Sequence, residues 1–423
     1  MKLTTTVLGL GAVIAAAPLA AQMPSRTGQD ERPTQAVTPA PAPVSHGGII
    51  THQPKLSNGA GKAIIELQEA VNKNDTASIP AKLAAAQAVA KTPDDKYAIG
   101  IMQLKAANAA KDQAGLAAGL EVMLASGSVQ PNEQLGLYTA LASTYTNLKQ
   151  SERATAAYKK VVELDPNNVD AVAGLAEAQV AAGQPAAAVA LFQQGIKLQS
   201  ASGKAPEAWY KRAVSVAYGA KLPATGQLAR EWVSAYPNAG SWRDAIAIYR
   251  NLNQQDVEGT LDLLRLMRAA GALSASADYN LFAAAASDQG NFLEAQKVLD
   301  AGIAAKHVDP ASPVFRDLVA GLKAKQKPTA ADLAVAAKTA ANTKALIRIG
   351  DSYAALGDHA KAAEVFRTAL TKPDVDAPVA NLHLGMALAQ SGDKAGATAA
   401  LNAVTGPRSE IAKYWLLYLQ SHA

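Results

Sequence analysis

The 423-residue sequence contains no cysteine, which removes disulfides, thiolate nucleophiles and zinc sites built on Cys in one step. Aromatics are scarce, at 5% with five Phe, while the hydrophobic share is 49%, so the apolar content comes mostly from alanine. Alanine is the best helix former and fills a wide core poorly, which predicts thin, close-packed helices. No run of five or six like charges occurs: Lys159 and Lys160 are followed at once by Glu163 and Asp165. The net charge of +5, spread over this length, is too thin a field for phosphate recognition and excludes nucleic acid as a partner. A phosphate loop of the G-x-x-x-x-G-K type and an H-E-x-x-H zinc motif are both absent, and no Ser, His and acid stand in a nucleophile context. His307, His359, His383 and His422 are scattered through the second half and read as surface or loop groups. The expectation is a protein that is not an enzyme and uses no cofactor or metal.

The first residues carry Lys2, an apolar stretch from Val7 to Ala17, and small Ala20 and Ala21 before polar Gln22. This is the pattern of a secretory signal peptide over 1–21. The apolar stretch, ending at Pro18, falls short of the roughly 20 residues that span a bilayer, and no later segment reaches that length. An exported protein is expected, periplasmic or secreted, with no transmembrane span in the mature chain. Residues 22–59 turn to Pro, Gly, Ser, Thr and Gln, with Pro39, Pro41 and Pro43 alternating, and predict a flexible arm.

A repeat organises the rest. From Leu135 the chain places Tyr138, Leu141, Ala142, Tyr145, Ala154, Tyr158 and Pro166; from Val169 the same spacing holds Val172, Leu175, Ala176, Gly183, Ala188 and Phe192. Further copies begin at Ser276 (Tyr279, Phe282, Ala283, Gly290, Ala295, Leu299), at Thr343 (Leu346, Gly350, Tyr353, Gly357, Ala362, Phe366) and at Pro378 (Leu384, Gly385, Leu388, Gly392, Ala397, Leu401). Poorer copies start near Pro206 and Ala239, with Trp209 and Trp242 at a core position, and the average spacing is about 35 residues. Small residues belong where two antiparallel helices cross and the backbones approach. Gly290-Asn291, Gly357-Asp358 and Gly392-Asp393 pair a helix stop in the left-handed region with a polar cap for the next helix. One helix pair cannot bury its own apolar face, so the pairs must stack.

This pattern resembles the tetratricopeptide repeat. The resemblance implies an all-α, right-handed α-solenoid of antiparallel helix pairs. It divides the chain into Ala-rich degenerate helical repeats over 60–131, the repeat solenoid over 132–408, and a C-terminal apolar helix over 409–423. Residues 309–342, broken by Pro310, Pro313 and Pro328, form a degenerate copy and a candidate bend.

The resemblance also implies a binding surface on the first helix of each pair. It includes Asp170 and Glu177 in one copy, Tyr210 and Lys211 in the next, Asn280 in a third, and Lys344, Arg348 and Asp351 in a fourth. The function implied is a non-enzymatic scaffold that binds an envelope protein or an extended peptide. The alternative is a glycan-binding scaffold in polysaccharide export or cell-wall assembly, which needs aromatic platforms that Tyr210 nearly alone supplies. In the last helix, Ile411, Ala412 and Tyr414 to Leu419 leave almost no polar face. Trp415 and Tyr418 are expected to dock on a second copy, giving a homodimer, or on a partner; otherwise the helix folds back into the preceding pair as core.

Overall fold

The computed structural model describes residues 50, 51 and 53–422. The predicted signal peptide and all but the end of the predicted arm lie outside the described residues. Those described form α-helices joined by short turns, with no strand, and divide into two compact units, one ending at Leu222 and the other starting at Pro223. The division falls inside the copy that begins near Pro206.

The first unit holds α1 (Gly61–Asn72), α2 (Ile79–Val89), α3 (Pro93–Ala110), α4 (Gln113–Ala125), α5 (Pro131–Asn147), α6 (Ser151–Leu164), α7 (Val169–Ala181), α8 (Pro185–Ser202) and α9 (Glu207–Gly219). Each helix packs on its neighbours in sequence, and the core runs as one cluster through Ile64, Tyr97, Leu137, Tyr158 and Leu175. The end of the arm is pinned. Thr51 donates its backbone N–H to Glu133 Oε1 at 2.6 Å, and Ser57 gives its N–H and hydroxyl to the two oxygens of Asp95 at 2.9 and 2.8 Å. Glu133 also accepts from the Tyr97 hydroxyl at 3.0 Å. Both acids stand in the first turns of helices, α3 and α5, where exposed N–H groups favour a carboxylate. Burial works against the charged form of Asp95, but hydrogen bonds from Ser57, Thr92 and Lys91 outweigh it and hold the group at about 2.

The second unit holds α10 (Thr225–Ala235), α11 (Ala239–Leu252), α12 (Val257–Ala269), α13 (Ser276–Asp288), α14 (Phe292–Ala304), α15 (Pro313–Lys323), α16 (Ala330–Lys338), α17 (Thr343–Ala355), α18 (His359–Leu370), α19 (Ala377–Ser391), α20 (Lys394–Asn402) and α21 (Ser409–Ser421). Gly290, Gly357 and Gly392 have φ of 77°, 85° and 87°, as their turn chemistry predicts. Asp358 and Asp393 then cap α18 and α20 through the backbone N–H of Lys361 and Gly396, at 3.0 and 2.8 Å. Asn291 departs from the expectation: its side chain makes no cap and instead donates to Asp351 Oδ2 at 3.4 Å.

The degenerate copy stands aside from the stack. α15 packs on α13 and α14, α16 packs on α17, and α14 meets α17 directly. The terminal helix α21 packs on α10, α12, α19 and α20. Trp415 is 1% exposed, so of the two alternatives for this side chain the core one holds and docking of its indole on a second copy does not: helices α10 and α12, beside the preceding pair, bury it inside its own unit.

Candidate functional site

The sequence of α12, VEGTLDLLRLMRA, is enclosed on nearly every face, with Leu261, Leu263, Leu264, Leu266 and Met267 all buried. Such a helix has no solvated stripe for Asp262 and Arg265, so charges one turn apart must be answered from inside the protein. Because α14 meets α17 directly, Glu294 of α14, Asp351 of α17 and His383 of α19 reach the same point.

Arg265 is the centre. Its Nε and Nη2 hold Glu294 at 3.0 and 2.7 Å, Nη2 also reaches Asp351 at 2.9 Å, and Nη1 reaches Asp262 at 3.1 Å. His383 lies between two carboxylates, with Nδ1 at 2.8 Å from Asp351 Oδ1 and Nε2 at 3.1 Å from Asp262 Oδ1. An acceptor at each ring nitrogen selects the imidazolium, in which both nitrogens donate. Burial disfavours the charged ring, but Asp351 and Asp262 override it and raise His383 to about 10. Burial would likewise raise Asp351, yet Arg265 and His383 pull it down to about 2. Asp262 Oδ2 is enclosed and has no hydrogen-bond partner among the described residues.

Beside this network lies a cavity of about 380 Å³, walled by Arg265, Arg268, Glu294, Asp351, His359, Phe366, His383, Met386 and Trp415, with Leu356, Gly357 and Gln390 at its exposed edge. Arg268 stands 3.6 Å from Glu294, too far for a hydrogen bond, and Glu294 is already taken by Arg265. Burial moves the Arg268 guanidinium below its usual pKa, against the attraction of Glu294 and with the repulsion of Arg265. Burial and the Arg268 charge also lower His359, which keeps that ring neutral near pH 7. The arrangement can bind and orient; each acid next to Arg265 is held by a cation, and the wall offers no hydroxyl or thiol nucleophile. Among the described residues no group of three or more His, Asp or Glu is placed to hold a metal ion.

Two of the residues singled out from sequence, Asp351 and Trp415, meet at this cavity as buried groups. Asp351 was expected on an exposed binding face, and that is corrected: Arg265 and His383 draw it inward. The reading of His383 as a surface or loop group is corrected too, since it is 1% exposed; His359 is half-buried at the start of α18. The signal that could have found them is the pair of charges set inside the Leu-rich run of α12.

The remaining candidates lie elsewhere. In the first unit Asp170 is exposed, Tyr210 is half-buried, Glu177 is gripped by Arg212 at 2.8 to 3.2 Å, and Lys211 pairs with Glu207 at 3.4 Å. In the second, Asn280 is half-buried on α13, and Tyr418 is half-buried at ring contact with Trp415 and Trp242. Lys344 and Arg348 are exposed one turn apart on α17. First helices of successive pairs are elsewhere tied by ions: Glu177 of α7 to Arg212 of α9, and Arg243 of α11 to Asp278 of α13 at 3.2 Å.

Family models described as tetratricopeptide repeat match residues 147–205 and 347–410, one in each unit. Among solved structures, the chain is similar to a tetratricopeptide repeat protein from Parabacteroides merdae, at 12% identity over 78% of this chain and 100% of the other, TM-score 0.27. It is similar to PilF of Pseudomonas aeruginosa at 13% identity over 62% of this chain and 97% of the other, TM-score 0.24. BtubC from P. vanneervenii shares 13% identity over 64% of this chain and 96% of the other, TM-score 0.25. No curated protein matches the chain.

Proposed function

The chain is a tetratricopeptide-repeat protein, with such repeats in each unit, and from that premise we propose that it is a non-enzymatic exported scaffold of the cell envelope. Tetratricopeptide repeats are protein-interaction modules. The reading here is that this chain holds an envelope protein or an extended acidic peptide against the first helices of its pairs. The observation that carries it is the state of charge on those helices. Glu177 and Arg243 are spent on the next pair, whereas Lys344 and Arg348 on α17 are exposed and make no ion pair among the described residues. Two cations spaced one turn apart offer an acidic segment a docking stripe that also speeds encounter.

The test is recovery of partners from envelope extract by wild type and by the double reversal Lys344→Glu with Arg348→Glu. The reversed variant is expected to lose the partner that wild type retains, and the wild-type affinity to fall with salt more steeply than the variant's. Equal recovery by both sinks the assignment. Export is tested separately by the mass of the mature species, expected to lack the first 21 residues.

A further inference from the structure

We propose that the cavity among α12, α14, α17, α18, α19 and α21 is a binding site for a small organic monoanion with an apolar body, anchored on Arg268. This goes beyond the partner-binding reading and does not rest on it.

The anchor is a guanidinium that makes no hydrogen bond to an acceptor among the described residues. Arg268 projects into the cavity wall with 36% of its side chain exposed, 3.6 Å from a Glu294 that Arg265 already holds in two hydrogen bonds. Its other neighbour is the Phe282 ring, 5.3 Å from the guanidinium carbon. Arginine forks bind planar anions through charge-assisted hydrogen bonds that are stronger than neutral ones, and with 36% of its side chain exposed this fork can be reached from the cavity.

The charge of the ligand follows from the walls. A cation would meet Arg268 and Arg265 together. In number, Asp262, Glu294 and Asp351 already match Arg265, His383 and Arg268, but their hydrogen bonds go to Arg265 and His383, so what Arg268 has to offer is its unused donors. A single anionic group can take these with the least surplus negative charge beside Glu294 and Asp351, and a dianion would double that surplus. The shape follows as well: Ala269, Ala355, Phe366, Met386 and Trp415 supply an apolar lining, and a volume of about 380 Å³ falls in the range of small-ligand pockets. His359, neutral and half-buried at the edge, is the group that an arriving anion would lead to take up a proton.

The probes are hexanoate and hexanesulfonate as monoanions, with hexanamide and hexylamine as neutral and cationic counterparts, titrated into the full chain by calorimetry, with the change in tryptophan fluorescence, to which Trp415 in the wall contributes, as a second readout. Both anions are expected to bind about tenfold or more tightly than hexanamide, and hexylamine not to bind. Arg268→Gln is expected to lose that preference while the protein stays folded, since Glu294 keeps its bonds to Arg265. Ala355→Leu, which fills the cavity and leaves the charges, is expected to abolish binding of both anions. N-acetyl-glycyl-leucine carries the same chemistry on a peptide end: tighter binding than hexanoate supports the site and assigns a chain terminus as its source, and weaker binding supports it and assigns a free amphiphile. Equal affinity for hexanamide, unchanged anion binding in Arg268→Gln, or no binding of either anion at about 10 mM, the millimolar scale of the weakest specific ligands, would overturn the proposal.

Discussion

At Gly357 the backbone turns through φ of 85° with nothing within 4 Å of where a Cβ would stand, so any cost of a side chain there is backbone strain alone. Gly357→Val is expected to lose about 1–2 kcal/mol, a β-branched residue being penalised in the left-handed region. An unchanged melting temperature would contradict that. Comparable turns in other pairs use lysine: Lys149 and Lys221 sit at φ of 58° and 54°. There Lys149→Gly is expected to raise stability by about 0.5 kcal/mol, the relieved strain exceeding the entropy that glycine adds to the unfolded chain. Gly385 has the opposite constraint. A Cβ at that point would lie 2.6 Å from Leu401 Cδ2, so Gly385→Ala is expected to cost about 1–3 kcal/mol by overpacking the crossing of α19 and α20. Thermal denaturation of the three variants separates strain from crowding. Gly357 and Gly385 were legible in the sequence because a left-handed turn favours glycine and a close helix crossing needs a small residue, whereas the lysine turns carried no such mark.

Helices α12 and α21 were not legible in that way. The repeat pattern specifies what a helix needs from its own pair and its next neighbour. It does not specify which distant helices meet when residues 309–342 leave the stack and α14 lands on α17. Asp351 therefore read as a face residue when it is the acid that Arg265 and His383 require. For Trp415 the sequence left docking on a second copy and folding back as core both open, because α21 is apolar nearly all round and the last pair alone could cover one side. Its cover comes from α10 and α12, earlier in the unit. The two rings on α21 should then respond differently. Trp415→Ala is expected to cost about 3–5 kcal/mol, as for a large aromatic in a core, and half-buried Tyr418→Ala clearly less. Equal losses in chemical denaturation would show that α21 is not seated as described.

For the molecule as a whole, the buried ions make alkaline stability a property of one unit. His383 titrates near 6.5 when unfolded and at about 10 when folded. Its contribution is fully present below 6.5 and is lost as pH rises through 10. Asp351 runs the other way: held at about 2 against an ordinary value of 3.8, it stabilises above 3.8 and ceases to as pH falls toward 2. Asp95 in the first unit is held at about 2 as well, so acid weakens both units. The first unit has no counterpart to His383 among its described residues: Tyr145 is raised to about 12, and its unfolded form begins to ionise only near 10. Scanning calorimetry from pH 6.5 to 9.5 is therefore expected to show one transition moving down in temperature and another nearly fixed. His383→Gln should remove the dependence, because a neutral amide has no proton to lose, at the expense of a lower midpoint throughout. Two transitions that move together, or a His383→Gln chain that keeps the alkaline slope, would mean that the charge on this ring does not hold α12, α17 and α19 together.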